Sequence, residues 1–276
     1  MTTRGDVPAD EPEEPLPHFR AGSGEPLVLL HDIGGQFGVW APVIGALTAA
    51  RDVVAPNLPG FADAPSLIAP ARPDIAGLTD AIETFIDRLE LGSPHLGGIG
   101  VGGWVALELA RRGRASSVTA VSPAGAWSRA GALYVRASLG GAVAALKVLD
   151  RRLERLTASG LGRRILLGQA MAHPDRLAPE IATLAARNLA VSPGLLQTLA
   201  LTSRERLLSG AGITVPVTIA WGSRDRLYFP GQARRVLAMI PQARLVTLED
   251  CGHIPTFDDP DQVTKVLLAG SESTSV

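Results

Sequence analysis

Three short segments carry residue types that could do chemistry. Asp225 closes Trp221-Gly222-Ser223-Arg224-Asp225, and His253 closes Asp250-Cys251-Gly252-His253, each just past a short apolar run. A histidine with a carboxylate partner can take a proton from a bound molecule, the carboxylate orienting the ring and stabilising its protonated form. Asp32 stands in Leu30-His31-Asp32-Ile33-Gly34-Gly35, where an apolar run ends in a glycine turn. Its carboxyl has two readings. It caps that turn, or it faces an apolar pocket that raises its pKa and lets it donate a hydrogen bond. The third segment, Gly98-Ile99-Gly100-Val101-Gly102-Gly103, is a glycine-dense passage from an apolar run into a helical pattern. Of the remaining histidines, His18 is near the start, His31 ends a run, His95 opens one and His173 lies in a helical region. Only His253 has both a Gly-His context and a matching acid upstream.

These residues need rigid elements to hold them. Pro26–His31, Asp52–Pro56, His95–Ile99, Ser117–Val121, Pro216–Trp221 and Arg244–Leu248 are short, almost wholly apolar runs that read as buried strands. Such runs suit a parallel sheet covered on both faces. Between them, Trp40–Ala50, Ile75–Leu89, Gly102–Arg112, Gly231–Ile240 and Asp261–Ala269 have helical spacing, so the expected class is α/β with a layered, mostly parallel sheet. From 126 to 212 the alternation stops. Leu139, Val143, Leu146, Leu149, Leu153 and Leu156 recur at helical spacing, and two more helical blocks, Pro179–Leu189 and Pro193–Leu208, follow. The expected organisation is a flexible, acidic, proline-rich tail over 1–22, a core made of 23–125 and 213–276, and a helical cap inserted at 126–212.

In this order of pieces the chain resembles the α/β-hydrolase superfamily over nearly all of 25–270: an oxyanion turn at His31-Asp32-Ile33-Gly34-Gly35, then Asn57-Leu58-Pro59-Gly60-Phe61, an elbow at Gly98–Gly102, a helical cap, an acid and a histidine. The resemblance implies an α/β-hydrolase-type sheet flanked by helices, with His253 as general base, Asp225 as its orienting acid, and Ile33, Val101 and Trp127 around the oxyanion site and pocket. It also exposes two departures. Gly100 stands at the nucleophile position, so no acyl- or alkyl-enzyme can form on that residue. Asp32 replaces the glycine most often found there, and an ionised carboxylate would oppose a developing oxyanion. Two departures together favour natural divergence over a single Ser-to-Gly change. Ser122, the nearest later hydroxyl, belongs to another loop and reads as a turn residue. Asn57 and Ala62 read as drift in a loop, and Cys251 as packing.

The leading expectation is therefore a small-molecule enzyme without a serine nucleophile. His253 and Asp225 serve as a general-base dyad, with Asp32 assisting, in elimination (lyase), isomerisation or cyclisation chemistry of bacterial secondary metabolism. The alternative is an ester, lactone or C–C hydrolase in which His253 activates water directly or position 100 originally held serine. A second alternative is a binding protein that has lost its chemistry. Putting serine back at position 100 is the test this reading suggests.

Composition narrows the field. With 276 residues, 46% hydrophobic and 19% charged, the chain can build a large core. A net charge of −1 offers no basic excess for nucleic acid. One cysteine rules out an internal disulfide. No segment reads as a membrane span, and the N-terminus has no signal-peptide core, so the expected location is cytoplasmic. The glycines at 98–103 lack dinucleotide-loop spacing, and no metal-ligand spacing occurs, so no cofactor or metal is expected. The expected partner is a small, largely apolar substrate, with a homo-oligomer left open. Abundant alanine, arginine and glycine suit a GC-rich bacterial genome.

Overall fold

The computed structural model describes residues 14–207 and 209–272. In chain order the elements are β1 (His18–Gly22), β2 (Pro26–Leu30), α1 (Ala41–Thr48), β3 (Asp52–Pro56), α2 (Ile75–Arg88), β4 (His95–Ile99), α3 (Gly100–Arg111) and β5 (Ser117–Val121). There follow α4 (Arg129–Leu149), α5 (Leu153–Thr157), α6 (Gly160–Leu167), α7 (Pro179–Val191) and α8 (Leu195–Thr202). The chain then completes the sheet with β6 (Val217–Gly222), α9 (Ala233–Met239), β7 (Arg244–Leu248) and α10 (Pro260–Gly270). The seven strands are ordered β1-β3-β2-β4-β5-β6-β7. All neighbours are parallel except β1, which pairs antiparallel with β3 from His18↔Pro56 to Gly22↔Asp52.

β1 corrects the expected tail. Residues 1–13 lie outside the described residues, but His18–Gly22 is an edge strand. Its partly exposed, polar sequence (HFRAG) lacks the apolar run that reveals the inner strands, and its place comes from backbone pairing and the Arg20–Asp52 ion pair at 2.7 Å. An edge strand with one wet face needs little hydrophobicity.

The two faces of the sheet follow the period of two along each strand. Leu27 and Leu29 of β2 and Val53 and Ala55 of β3 pack toward Val43 and Leu47 of α1 and Val263 and Leu267 of α10. Val28, Leu30 and Val54 pack on the opposite side with Leu78, Ile82 and Phe85 of α2 and Val105 and Leu109 of α3. Burying each such side chain contributes roughly 1.5–3 kcal/mol. α3 begins at Gly100, two residues before the sequence periodicity suggests.

Between β5 and β6 the described residues hold helices alone. α4 buries Ala132, Val135, Leu139 and Val143 toward the sheet domain and packs with Leu153, Leu167, Ala182 and Ala186 of its neighbours through Leu146. The run 129–157, read from sequence as part of the cap, is by length and composition long and apolar enough to cross a membrane. Here its buried stripe packs against protein while Leu133 and Val148 are exposed.

Candidate active site

β2 ends in a turn whose geometry is fixed by backbone demands. His31 donates from Nδ1 to the carbonyl of Asp32 (2.8 Å), and the Gly35 N–H donates to the same oxygen (2.9 Å). The other ring nitrogen of His31 accepts from the Leu58 N–H at 2.9 Å. A ring that donates at one nitrogen and accepts at the other is neutral, and burial pushes the His31 pKa down to about 4 against the pull of Asp32. His31 is thus a brace for Asp32.

The Asp32 side chain, buried, leaves this turn and crosses to the start of α3. There Oδ1 accepts from the Val101 N–H at 2.6 Å. The junction of β4 and α3 can come this close because of three glycines. A Cβ on Gly98 would run into Gly102 and Gly103, and a Cβ on Gly102 would run into the carbonyls of Leu30 and His31. Gly100 adopts φ +55°, a left-handed conformation that side chains disfavour. A Cβ there would overlap Oδ1 and Cγ of Asp32 outright and stand 2.7 Å from Oδ2. The Asp32 carboxylate fills the space a side chain at position 100 would need.

Oδ2 of Asp32 is 2.9 Å from Nε2 of His253, and Nδ1 of His253 is 2.9 Å from Oδ2 of Asp225. Oδ1 of Asp225 accepts from the N–H groups of Leu227 (2.9 Å) and Tyr228 (2.8 Å), which lock its rotamer just past β6. The result is an unbroken buried line from Asp225 through His253 and Asp32 to the Val101 N–H. Burial on its own would lower the His253 pKa. The charge and hydrogen bond of Asp225, joined by those of Asp32, outweigh it and push the value up to about 10. With His253 protonated, both Asp32 oxygens face N–H donors, so the hydrogen-bond donor that the elimination reading asks of Asp32 is absent from this arrangement.

The loop bearing His253 is tied to the helical layer. Asp258 accepts from the N–H groups of Ala172 (2.9 Å), His173 (2.8 Å) and Gly252 (2.8 Å), and the Ile254 N–H donates to the carbonyl of Ala170 (2.8 Å). The Tyr228 ring meets His253 edge-on with centroids 4.5 Å apart, and Trp127 meets Tyr228 at 5.5 Å. Burial, then the charges of Asp32 and Asp225, hold the Tyr228 phenol well above its usual pKa.

Of the residues expected at the site, His253, Asp225, Asp32, Gly100 and Val101 come together. Ile33 is buried beside Asp32 in sequence. Trp127 meets Tyr228 and Trp104 of α3 edge-on, and its indole N–H donates to the Glu205 carbonyl at 3.3 Å, so its observed role is packing where the chain enters the helical layer. Ser122 is buried past β5, with a hydroxyl that lacks a hydrogen-bond partner among the described residues. Burial pushes the Cys251 thiol up to about 12, which suits packing. Asn57 does more than drift allows. Its side chain accepts from the Phe37 N–H (2.8 Å) and donates to Asp63 (2.7 Å), joining three segments. Ala62 holds φ +51°, the conformation a glycine would take without strain.

His31, Tyr228 and Asp258 are the site residues that sequence reading missed. Nothing in spacing marks His31 as a brace, Tyr228 hides in an apolar stretch, and Asp258 looks like one of two helix caps before Pro260. Asp259 is the cap, accepting from the Gln262 N–H at 3.0 Å.

Above the Asp32 turn, Leu189 and Leu195 press on Gly34 so closely that a Cβ there would stand 2.6 and 2.7 Å from their methyl groups. Beside this contact, Gly35, Gln36, Ala62, Asn188, Val191, Ser192 and Pro193 line a cavity of about 130 Å³ between the turn and the α7–α8 connection.

Comparison with known proteins gives a consistent picture. Residues 27–266 match the family described as the alpha/beta hydrolase family. Over 205 residues the chain is 31% identical to epoxide hydrolase EphH of Mycobacterium tuberculosis, covering 70% of this chain and 93% of that protein. Over 249 residues it is 28% identical to the dihydrolipoyllysine-residue acetyltransferase component of the acetoin cleaving system of Pseudomonas putida. That match covers 89% of this chain but only 63% of the relative's length. Among solved structures, a hydrolase from Pseudomonas aeruginosa PA01 superposes with a TM-score of 0.73 at 21% identity, covering 93% of this chain and 94% of the other.

Proposed function

The chain belongs to the alpha/beta hydrolase family, and on that premise we propose that it hydrolyses a small, largely apolar molecule. In this reading His253, oriented by Asp225, handles the protons of water and leaving group. Asp32 occupies the place of the elbow side chain that Gly100 lacks. The observation that carries the reading is the buried line Asp225–His253–Asp32–Val101 N–H. Keeping two carboxylates and an imidazole out of water costs several kcal/mol per ion unless each is well paired. A pure binding protein has no use for such a line, whereas hydrolysis needs an imidazole held in place to carry protons between water and leaving group.

Hydrolysis now ranks above the elimination reading. That reading needed Asp32 as a proton donor, and here both of its oxygens sit against N–H groups. The relative named as an epoxide hydrolase supports the same reading. Leu189 and Leu195 over the turn favour an apolar substrate and exclude bulk water, which strengthens electrostatic interactions inside.

The test is a panel of short acyl p-nitrophenyl esters, γ-lactones and terminal epoxides, assayed with the natural protein and His253→Ala. At least one class is expected to be turned over, with the variant losing 10³-fold or more (on the order of a general base plus its partner). Absence of His253-dependent turnover across all three classes would sink the reading.

A further inference from the structure

We propose that Asp32 is itself the nucleophile, a carboxylate reaching from the β2 turn into the space left by Gly100, and that its substrates are strained cyclic ethers opened at an sp³ carbon. The inference rests on the hydrolase reading above and adds to it a covalent intermediate and a substrate class.

Three observations lead here. First, a Cβ built on Gly100 would collide with Oδ1 and Cγ of Asp32 and stand 2.7 Å from Oδ2, so the carboxylate occupies the volume into which an elbow side chain would project. Second, its two oxygens are differentiated. Oδ1 is anchored on the Val101 N–H at 2.6 Å, and Oδ2 is 2.9 Å from Nε2 of His253. Once Oδ2 has bonded to carbon, Oδ1 becomes the carbonyl oxygen of an ester already seated on a backbone donor, the arrangement that stabilises the oxyanion of its later hydrolysis. Third, Asp32 is braced from behind. Its own carbonyl is fixed by His31 and Gly35, so the side chain is aimed by the backbone rather than hung from a mobile loop.

Chemistry selects the substrate. A carboxylate attacking an ordinary ester is a better leaving group than the alkoxide it must expel, so the tetrahedral adduct falls back to starting material. Attack at a saturated carbon has no such return path, and covalent carboxylate intermediates of this kind are well suited to splitting a hard step in two. Opening a strained ring also needs a proton for the departing oxygen, and the imidazolium of His253 holds one at the site.

The steps balance. Oδ2 of Asp32 forms a bond to a ring carbon, the C–O bond breaks, and the ring oxygen takes the Nε2 proton of His253. The products are a neutral alkyl ester on Asp32 and a neutral imidazole. With the Asp32 charge gone, one of the two carboxylates that raise the His253 pKa is removed, and the ring becomes a base. It takes a proton from water, whose oxygen adds to Cγ of Asp32 while Oδ1 collects the charge against Val101. The adduct collapses by breaking the bond between Cγ and the alkyl oxygen. That oxygen gains a proton and leaves as the diol, and Asp32 and protonated His253 are restored. Ether plus water gives diol, with one oxygen of Asp32 exchanged.

That exchange is the test. The natural protein is given styrene oxide and 1,2-epoxyhexane in water enriched in oxygen-18, then digested and weighed. The peptide carrying Asp32 is expected to gain heavy oxygen while the peptide carrying Asp225 does not, and the first-turnover diol carries ordinary oxygen from the enzyme. In His253→Gln both half-reactions lose their proton carrier, so the Asp32 peptide is expected to gain neither heavy oxygen nor the mass of the epoxide. Epoxide turnover with no label on Asp32 overturns the inference. So does His253-dependent ester or lactone hydrolysis without epoxide opening, which leaves the hydrolase reading in place. No His253-dependent hydrolysis of any class removes both. The labelling arm needs no variant, so a misfolded His253→Gln leaves the result intact.

Discussion

Gly100 and Asp32 compete for one volume, and a double-mutant cycle measures how strongly. Gly100→Ser puts a side chain on a residue at φ +55°, which costs roughly 1–2 kcal/mol in backbone strain. Its Cβ also lands on the Asp32 carboxylate, which must swing away from Val101 and His253. Breaking a buried charge pair costs about 3–5 kcal/mol, so the single variant should lose ~4–7 kcal/mol, much of what a domain possesses. Asp32→Gly leaves His253 with Asp225 alone and should cost ~2–4 kcal/mol. If the sites were independent, the double variant would lose the sum. With Asp32 absent the new side chain has its space, so only the strain is added, and the double variant should recover about 3–5 kcal/mol relative to additivity.

Urea unfolding of the natural protein, both single variants and the double variant reads these values directly. The double variant carries a second readout. Its serine stands beside His253 with the Val101 N–H free to hold an oxyanion, so it should gain hydrolysis of short acyl p-nitrophenyl esters that a further His253→Ala change removes. Serine at position 100 alone is a poor test, because it displaces the Asp32 carboxylate from its bonds to Val101 and His253. If Gly100→Ser loses less than about 1 kcal/mol, or the two costs add, the shared-volume reasoning is wrong.

Stability should peak near the ordinary histidine pKa, because two buried histidines pull in opposite directions. His253, raised to about 10, stabilises fully below 6.5 and loses that contribution as pH climbs through 10. His31, lowered to about 4, stabilises above 6.5 and loses its share as pH falls from 6.5 to 4, worth ~3 kcal/mol. Melting temperature against pH should fall on both sides. His31→Asn should flatten the acid limb, and an acid limb of unchanged slope in that folded variant would refute its assignment. Asp258→Ala frees three backbone N–H groups between the His253 loop and the helical layer, which should cost ~2–4 kcal/mol and lower kcat more than KM. Equal melting temperatures for variant and natural protein would contradict this.

The inner strands were legible because burial on both faces forces an unbroken apolar run. Four of the six expected ranges, 52–56, 95–99, 117–121 and 244–248, coincide with the observed strands; the last is the edge strand β7, which is largely exposed yet carries Leu245, Val246 and Leu248. The other edge strand, β1, was not legible, because its pairing is specified by its partner's backbone and its sequence has no such run. Within the site, His253 and Asp225 were legible from their positions just past strands. The meeting of Asp32 with His253 was not, since 221 residues separate them and only the sheet order places the ends of β2 and β4 side by side. Sequence spacing showed that position 100 was empty and that position 32 was unusual. It could not show that the second fills the first.

The same geometry constrains the order in which such a site can arise. A side chain at position 100 and a carboxylate at position 32 cannot both occupy the cleft, so Asp32 entering beside an elbow serine or aspartate would meet a collision. Glycine at position 100 meets none, and at φ +55° it also relieves backbone strain. Loss of the elbow side chain is therefore the step that costs little structurally, and it leaves His253 and Asp225 beside a vacant volume lined by the Val101 N–H. A carboxylate arriving from the β2 turn then finds two donors already aimed at it, one of them cationic. Each oxygen gains a charge-assisted hydrogen bond, about 1.5–3 kcal/mol apiece, against the cost of burying the charge. Asp32 thus depends on its two neighbours: removing either His253 or the left-handed glycine should leave it without its place.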